Sequence, residues 1–457
     1  MLPKFFDRER ELEWLESIYS ETGFKLAVIY GRRRVGKTEL IKQFIKDKKG
    51  VYILSTDESL DENIKSFKEK FYKITKKDYF QKLHIVSFYD LFKYLTKEID
   101  NEKIVVAIDE FPYLLSLKKG ILSLFQKIID ENLIDTNIKL IICGSSMSMM
   151  ENDVLGYKSP LYGRNVSSWK LSPFNFREVS KIVDNIEKAC EVYFIYGGVP
   201  YYLRFYNKNK GLMENIISSF LTKGRNLYDE PLILLREEFR ESRVYRLILK
   251  YISLGYKSLG KLCSATGLEK SNLSKYLSSL EEVGIIRHVI PLGMKRKGIY
   301  EVSDPLFRFW FKFVYPYRDK LEIGNIESVE KLIYSQLNAY FGYCFEYLIE
   351  ERLTYMQIPE LENFTHIYKW WYKDKEIDVV GLNNDTKEIL FVECKWQNKV
   401  DARKTIKELG DAAKYVKWYN DERKESYALF AKDFKEKINK YNGKKVYCFD
   451  LKDLMKK

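Results

Sequence analysis

The chain is poor in the residues that build zinc sites and disulfide frameworks. Its six cysteines are scattered singly along 457 residues, none in a Cys-x-x-Cys pair, and only three histidines occur. That scatter argues against a structural zinc site or a stapled secreted scaffold, so a reducing cytoplasm is expected. No apolar run reaches the ~18 residues of a membrane span, so no membrane partner is expected. The opening residues Met1-Leu-Pro-Lys-Phe5 lack a signal-peptide core. What is present is 46% hydrophobic and 31% charged residues, a globular composition, at a length that suggests roughly two to four domains. The formal net charge of +13 favours an anionic partner, nucleic acid first. A lysine-rich solubilising surface accounts for the same charge without any partner.

Residues Gly31-Arg32-Arg33-Arg34-Val35-Gly36-Lys37-Thr38 match the phosphate-loop pattern G-x-x-x-x-G-K-[ST]. The run Lys25–Tyr30 before them reads as a buried strand, and 39–45 after them as a helix with Leu40, Ile41, Phe44 and Ile45 on one face. A glycine loop between strand and helix aims backbone N–H groups and the positive helix end at one point, which suits a polyphosphate. Lys37 would reach the β- and γ-phosphates and Thr38 would hold Mg²⁺. ATP with Mg²⁺ is the expected cofactor, with GTP left open.

A second buried run, Lys103–Ile108, ends in Asp109-Glu110. Asp109 would bind Mg²⁺, and Glu110 would orient and deprotonate the attacking water. The run Lys139–Cys143 ends in Gly144-Ser145-Ser146, a polar tip that senses the γ-phosphate or simply turns the chain. Arg164 is a candidate to touch the γ-phosphate, in its own subunit or from a neighbour in a homo-oligomer; a plain surface arginine is the equal alternative.

Residues 243–303 carry the pattern of a winged helix. Three amphipathic stretches end in one with Leu273, Leu277 and Leu280 on a single face, stopped by Gly284. Two short strands follow around a basic hairpin, Lys295-Arg296-Lys297-Gly298. Lys270, Ser271, Asn272, Ser274, Lys275 and Ser278 lie off the leucine face and suit a DNA groove, with the wing on phosphates. A protein-docking or lid module has the same pattern. The aromatic run Asp304–Val314 is expected to pack between domains.

Near the C-terminus, Asp378 and Glu393-x-Lys395 fall on two strands of an expected hairpin, with Glu346 on a helix upstream. Strand alternation puts Glu393 and Lys395 on one face. Converging carboxylates would hold Mg²⁺ or Mn²⁺ through oxygen, and Lys395 would position a water or stabilise developing charge. Exposed acids and a lysine in a weak salt bridge are the bland alternative.

Two resemblances follow from these residues. Phe5-Phe-Asp7-Arg8-Glu9, the phosphate loop, Ile108-Asp109-Glu110, Gly144-Ser145-Ser146, Leu161-Tyr-Gly163-Arg164 and Gly197-Gly-Val-Pro200, in that order, resemble the archaeal ATPase family, a branch of the signal-transducing AAA-like P-loop NTPases. That resemblance covers roughly 1–235 and implies a nucleotide-dependent switch, often followed by a winged helix and a nuclease-like tail. Asp378 with Glu393-x-Lys395 resembles the PD-(D/E)XK nucleases, with Ile377 where the pattern's name has proline.

The expected fold is α/β: a P-loop core at 1–170, a helical lid at 171–240, a winged helix at 241–303, an aromatic linker at 304–334 and a restriction-endonuclease-like α/β domain at 335–457. The favoured function is a DNA-associated ATPase switch with a tail that cleaves DNA. The alternatives are an ATPase regulator whose tail is a scaffold, and a protein-interaction switch with no nucleic acid.

Overall fold

Strands β1 (Lys25–Tyr30), β2 (Gly50–Leu54), β3 (Val105–Asp109), β4 (Lys139–Gly144) and β5 (Val166–Lys170) form an all-parallel sheet in the order β2-β3-β4-β1-β5. The computed structural model describes residues 5–78, 80, 84–183, 185–296 and 298–455. The central strands are continuous apolar runs because both faces of the sheet are covered. Side-chain alternation divides each run between two cores. Leu26, Val28, Val106, Ile108, Leu140 and Ile142 face one layer, with Phe67, Phe71, Leu91 and Phe92 from the helices Leu60–Thr75 and Phe88–Glu98. Ala27, Ile29, Val105, Ala107, Ile141 and Cys143 face the other, with Leu40, Ile41 and Phe44 from the helix Lys37–Ile45. These elements lie in one compact unit, residues up to 173 together with 199–201.

Residues 174–198 and those from 202 onward form a second unit. Within it, the helices Ser242–Ser253, Leu259–Thr266 and Lys270–Glu282 lead into the antiparallel pair β6 (Ile286–Val289) and β7 (Ile299–Val302). Leu273, Leu277 and Leu280 are fully buried, whereas Lys270, Ser271, Asn272, Ser274, Lys275 and Ser278 are exposed. The aromatic run forms the helix Pro305–Phe313. Its rings are buried, and the Trp310 indole donates to Tyr228 O at 2.8 Å.

The remainder of this unit is built on a mixed sheet in the order β14-β15-β12-β10-β9-β8. Its strands are β8 (His366–Tyr372), β9 (Lys375–Asn383), β10 (Glu388–Lys395), β12 (Lys424–Ala431), β14 (Lys440–Tyr441) and β15 (Lys444–Phe449). Short strands β11 (Val400–Asp401) and β13 (Phe434–Glu436) pair separately. The helix Ala402–Ala413 packs Ile406 and Leu409 on one face of the mixed sheet. The 29-residue helix Ile326–Thr354 crosses β8, β9 and β10.

Candidate functional site: a phosphate loop, and an acid cluster in the second unit

The phosphate loop is set by its first glycine. Gly31 has φ of 155°, and a Cβ there would fall 2.3 Å from the Leu171 carbonyl oxygen, so only glycine fits. Gly36 then opens the helix Lys37–Ile45. Lys37 is buried and donates to the loop's own carbonyls, Gly31 O at 2.8 Å and Arg32 O at 3.0 Å. The Lys37 ammonium therefore sits inside the loop, where an arriving phosphate would displace the carbonyls. Arg32, Arg33 and Arg34 are half-buried and Val35 is fully buried.

The structure brings Thr38 to Asp109. The Thr38 hydroxyl donates to Asp109 Oδ2 at 2.6 Å, and Tyr52 donates its phenol to the same oxygen at 2.7 Å. Burial, with the Asp109 charge added, pushes the Tyr52 phenol well above its ordinary range. Two oxygens meeting at the start of the phosphate-loop helix fit Mg²⁺. The Glu110 N–H donates to Asp109 Oδ1 at 2.9 Å. Its carboxylate is turned to the tip of β4, where the Ser145 hydroxyl donates to Oε2 at 2.9 Å. Glu110 has φ of 51°, a left-handed backbone that is sparsely populated by residues other than glycine.

Arg164 is not brought to the phosphate loop by any observed contact. It forms a two-pronged ion pair with Asp130, Nε to Oδ1 at 2.8 Å and Nη2 to Oδ2 at 3.0 Å, and donates to Pro160 O at 2.7 Å. The Arg164 hydrogen bond holds the Asp130 carboxyl below its ordinary range.

Sequence reasoning missed two supports of the loop. Arg8 is buried; its Nη2 donates to Val35 O at 3.1 Å and to Ser172 O at 2.9 Å, while Nη1 pairs with Glu11 at 2.9 Å. The guanidinium of Arg34 lies 4.8 Å from the ring centre of Tyr201, just after the Gly197-Gly-Val-Pro200 turn. Arg8 had a signal, its place in the N-terminal family motif. Tyr52 had none, because nothing in a β-strand pattern marks which tyrosine meets an acid on the next strand, 57 residues on.

In the second unit, β9 and β10 pair with Val379 opposite Val392, so the next step sets Asp378 opposite Glu393. Asp378 accepts the Cys394 N–H at 2.7 Å, and Lys395 Nζ pairs with Glu393 Oε1 at 2.5 Å. Burial, then the charges of Glu393 and Glu346, push the Asp378 carboxyl well above its ordinary range. Burial is also the main cause that moves Glu346 up to about 7, with Lys369 opposing it and Glu376 and Glu393 adding to it. The three acids thus feel one another. Among the described residues, however, no three His, Cys, Asp or Glu side chains are gathered closely enough to hold a metal. The residues do not present a complete ligand set.

The β6–β7 hairpin is docked on this sheet. Leu292 N donates to Lys369 O on β8 at 2.9 Å, and Leu292 packs against the sheet core. Below it, Glu301 on β7 is buried among Lys257 at 2.9 Å, Arg287 at 3.2 Å and Lys369 at 3.8 Å. Lys295 and Arg296 at the hairpin tip are exposed, and Lys297 lies outside the described residues. Among the described residues no helix is long and apolar enough to cross a membrane.

With this geometry in place, comparison with known proteins gives the class. A family model described as an ATPase domain predominantly from Archaea matches residues 5–205, and one for archaeal and bacterial proteins of unknown function matches 310–406. An uncharacterized Methanocaldococcus jannaschii protein, MJECL04, is 33% identical over 98% of this chain and 99% of its own length. An uncharacterized ATP-binding protein of the same organism, MJ0423, is 53% identical over 45 residues, 10% of this chain and 76% of that one. Among solved structures, the Walker-type ATPase paby2304 of Pyrococcus abyssi has a TM-score of 0.48 at 22% identity, covering 67% of this chain and 96% of that one. The chain belongs to one family with MJECL04, which it matches along nearly the full length of both. It is an ATPase, and residues 5–205 are its ATPase domain.

Proposed function

We propose that the protein is a DNA-associated ATPase switch. In this reading residues 1–170 are the ATPase core, 171–240 a helical lid, 241–303 a winged helix, 304–334 a linker and 335–457 a nuclease-like domain. The backbone N–H groups of 31–38 and the Lys37 ammonium bind the phosphates. Thr38 and Asp109 would hold Mg²⁺, which when bound neutralises charge on the phosphate oxygens. Glu110 orients and deprotonates the attacking water once it leaves Ser145. Arg164 would reach a phosphate only by giving up Asp130.

The observation that carries the DNA reading is the helix Lys270–Glu282. Its leucine face is buried while its short polar and basic face is open. Such a face suits a major groove. The test is duplex binding by wild type and by Lys270→Ala/Lys275→Ala. Weaker binding by the variant is expected; equal binding would leave the helix as a docking module.

A second reading gives the tail phosphodiesterase activity. The pairing of Lys395 with Glu393 beside Asp378 supports it. Wild type is incubated with plasmid DNA and Mg²⁺ or Mn²⁺, with and without ATP. Cleavage lost in Asp378→Ala and Lys395→Ala supports the reading; no cleavage by wild type in any condition makes the tail a scaffold.

A further inference from the structure

The helices Glu230–Glu238, Ser242–Ser253 and Arg318–Glu322 wall a cavity of about 420 Å³. Four arginines line it, Arg236, Arg243, Arg246 and Arg318, against one acid, Asp229. Arg318 is neutralised by Asp229 at 2.5 Å and Glu322 at 3.5 Å. Arg236 donates to Leu232 O in its own helix at 3.3 Å. Arg243 and Arg246 have no hydrogen-bond or ion-pair partner among the described residues. They stand three apart on one helix and so share a face, where like charges repel. The same helix begins at Ser242 with no side-chain cap from Glu241, which leaves its positive end open.

We infer that this cavity is a phosphate-binding site that takes a backbone phosphate of a DNA strand. A guanidinium offers paired N–H donors in the geometry of phosphate oxygens, and two unpartnered guanidinia beside an uncapped helix start are balanced by such a group. The strand is favoured over a free nucleotide by how this helix is tied to the next. Tyr276, on the helix Lys270–Glu282, donates its hydroxyl to Glu241 Oε2 at 2.5 Å, and its ring meets that of Tyr245 at 5.1 Å. The helix that would read the duplex is thus tied directly to one that lines the arginine cavity. The inference rests on the DNA reading above and adds to it an anchor on the first helix of the 241–303 module, walled by Arg236 and Arg318 from flanking helices.

The test compares wild type, Arg243→Ala/Arg246→Ala and Lys270→Ala/Lys275→Ala. Binding of a short duplex is followed by fluorescence anisotropy over a range of salt. Both arginines are exposed or half-exposed, and melting temperatures check that each variant is folded. The arginine variant is expected to bind several-fold more weakly at low salt, with a log–log salt slope shallower by up to about two. Wild-type affinity and slope in the arginine variant, with weakened binding in the lysine variant, would overturn the anchor and leave the DNA reading standing. No duplex binding by wild type at low salt would overturn both. In a Lys37→Ala background, AMP binding that depends on Arg243 and Arg246 without any effect on duplex binding would overturn the strand and assign the cavity to a free nucleotide.

Discussion

The Tyr52 hydroxyl lies 2.7 Å from Oδ2 of Asp109, the same oxygen that Thr38 reaches at 2.6 Å. The tyrosine sits on β2, beside β3 in the sheet, with Tyr52 opposite Ala107. It fixes the carboxylate oxygen beside Thr38, with Lys42 of the phosphate-loop helix 5.0 Å from its ring centre. Tyr52→Phe removes one hydrogen bond to a charged group, which contributes about 1.5 kcal/mol. The expected result is a Mg²⁺ requirement for ATP hydrolysis raised by roughly tenfold, with the turnover at saturating Mg²⁺ nearly unchanged. A Mg²⁺ titration of the steady-state rate decides it; an unshifted titration would make Tyr52 a bystander.

Glu110 is held by Ser145 and not by the phosphate loop. Glu110→Gln removes only the proton-accepting group, so ATP should still bind and turnover should cease. Lys37→Ala should abolish tight ATP binding. Calorimetric binding and a phosphate-release assay on the same preparations separate the two effects. Equal turnover by wild type and Glu110→Gln would remove the base assignment.

Gly198 is closed to any side chain. A Cβ there would stand 1.6 Å from the Phe174 carbonyl oxygen, a backbone atom that cannot rotate away. Gly198→Ala should therefore force the backbone apart and cost about 3 kcal/mol or more. Thermal unfolding reads this directly, and a melting temperature equal to wild type would refute the close approach.

Burial alone would raise the Glu301 carboxyl, but Lys369, Lys257 and Arg287 outweigh it and hold the group well below its ordinary 4.5. A carboxyl depressed in the fold adds stability above its unfolded pKa and loses it as pH falls towards the folded value. The contribution of Glu301 should be complete above about pH 5 and decline below it. Glu301→Gln leaves Lys257 and Lys369 without their acid, while Arg287 keeps Glu350 at 2.7 Å, and should cost about 3 kcal/mol at neutral pH. Urea unfolding at several pH values should show the gap between wild type and variant narrowing only in acid. A gap independent of pH would contradict the charged hub.

The parts of the molecule that were legible in sequence are local ones. The phosphate loop could be read because Gly31, Gly36, Lys37 and Thr38 act within one turn of chain. Strands β1, β3 and β4 could be read because burial on both faces demands unbroken apolar runs. The buried leucines of Lys270–Glu282 follow the helical period directly. What stayed hidden joins distant segments. Arg8 reaches Ser172, Tyr52 reaches Asp109, and Leu292 adds itself to the edge of β8. No periodicity encodes those partners. The salt bridge of Arg164 to Asp130 is of the same kind, since an arginine's charge in a sequence does not say which acid it meets.

The central claim is that nucleotide state governs DNA binding. Duplex affinity should be measured for Glu110→Gln loaded with ATP and for wild type loaded with ADP, at one salt concentration. The account predicts that both bind and that their affinities differ by several-fold. Equal affinities would contradict the switch, and no binding in either state would contradict the DNA-associated ATPase as a whole.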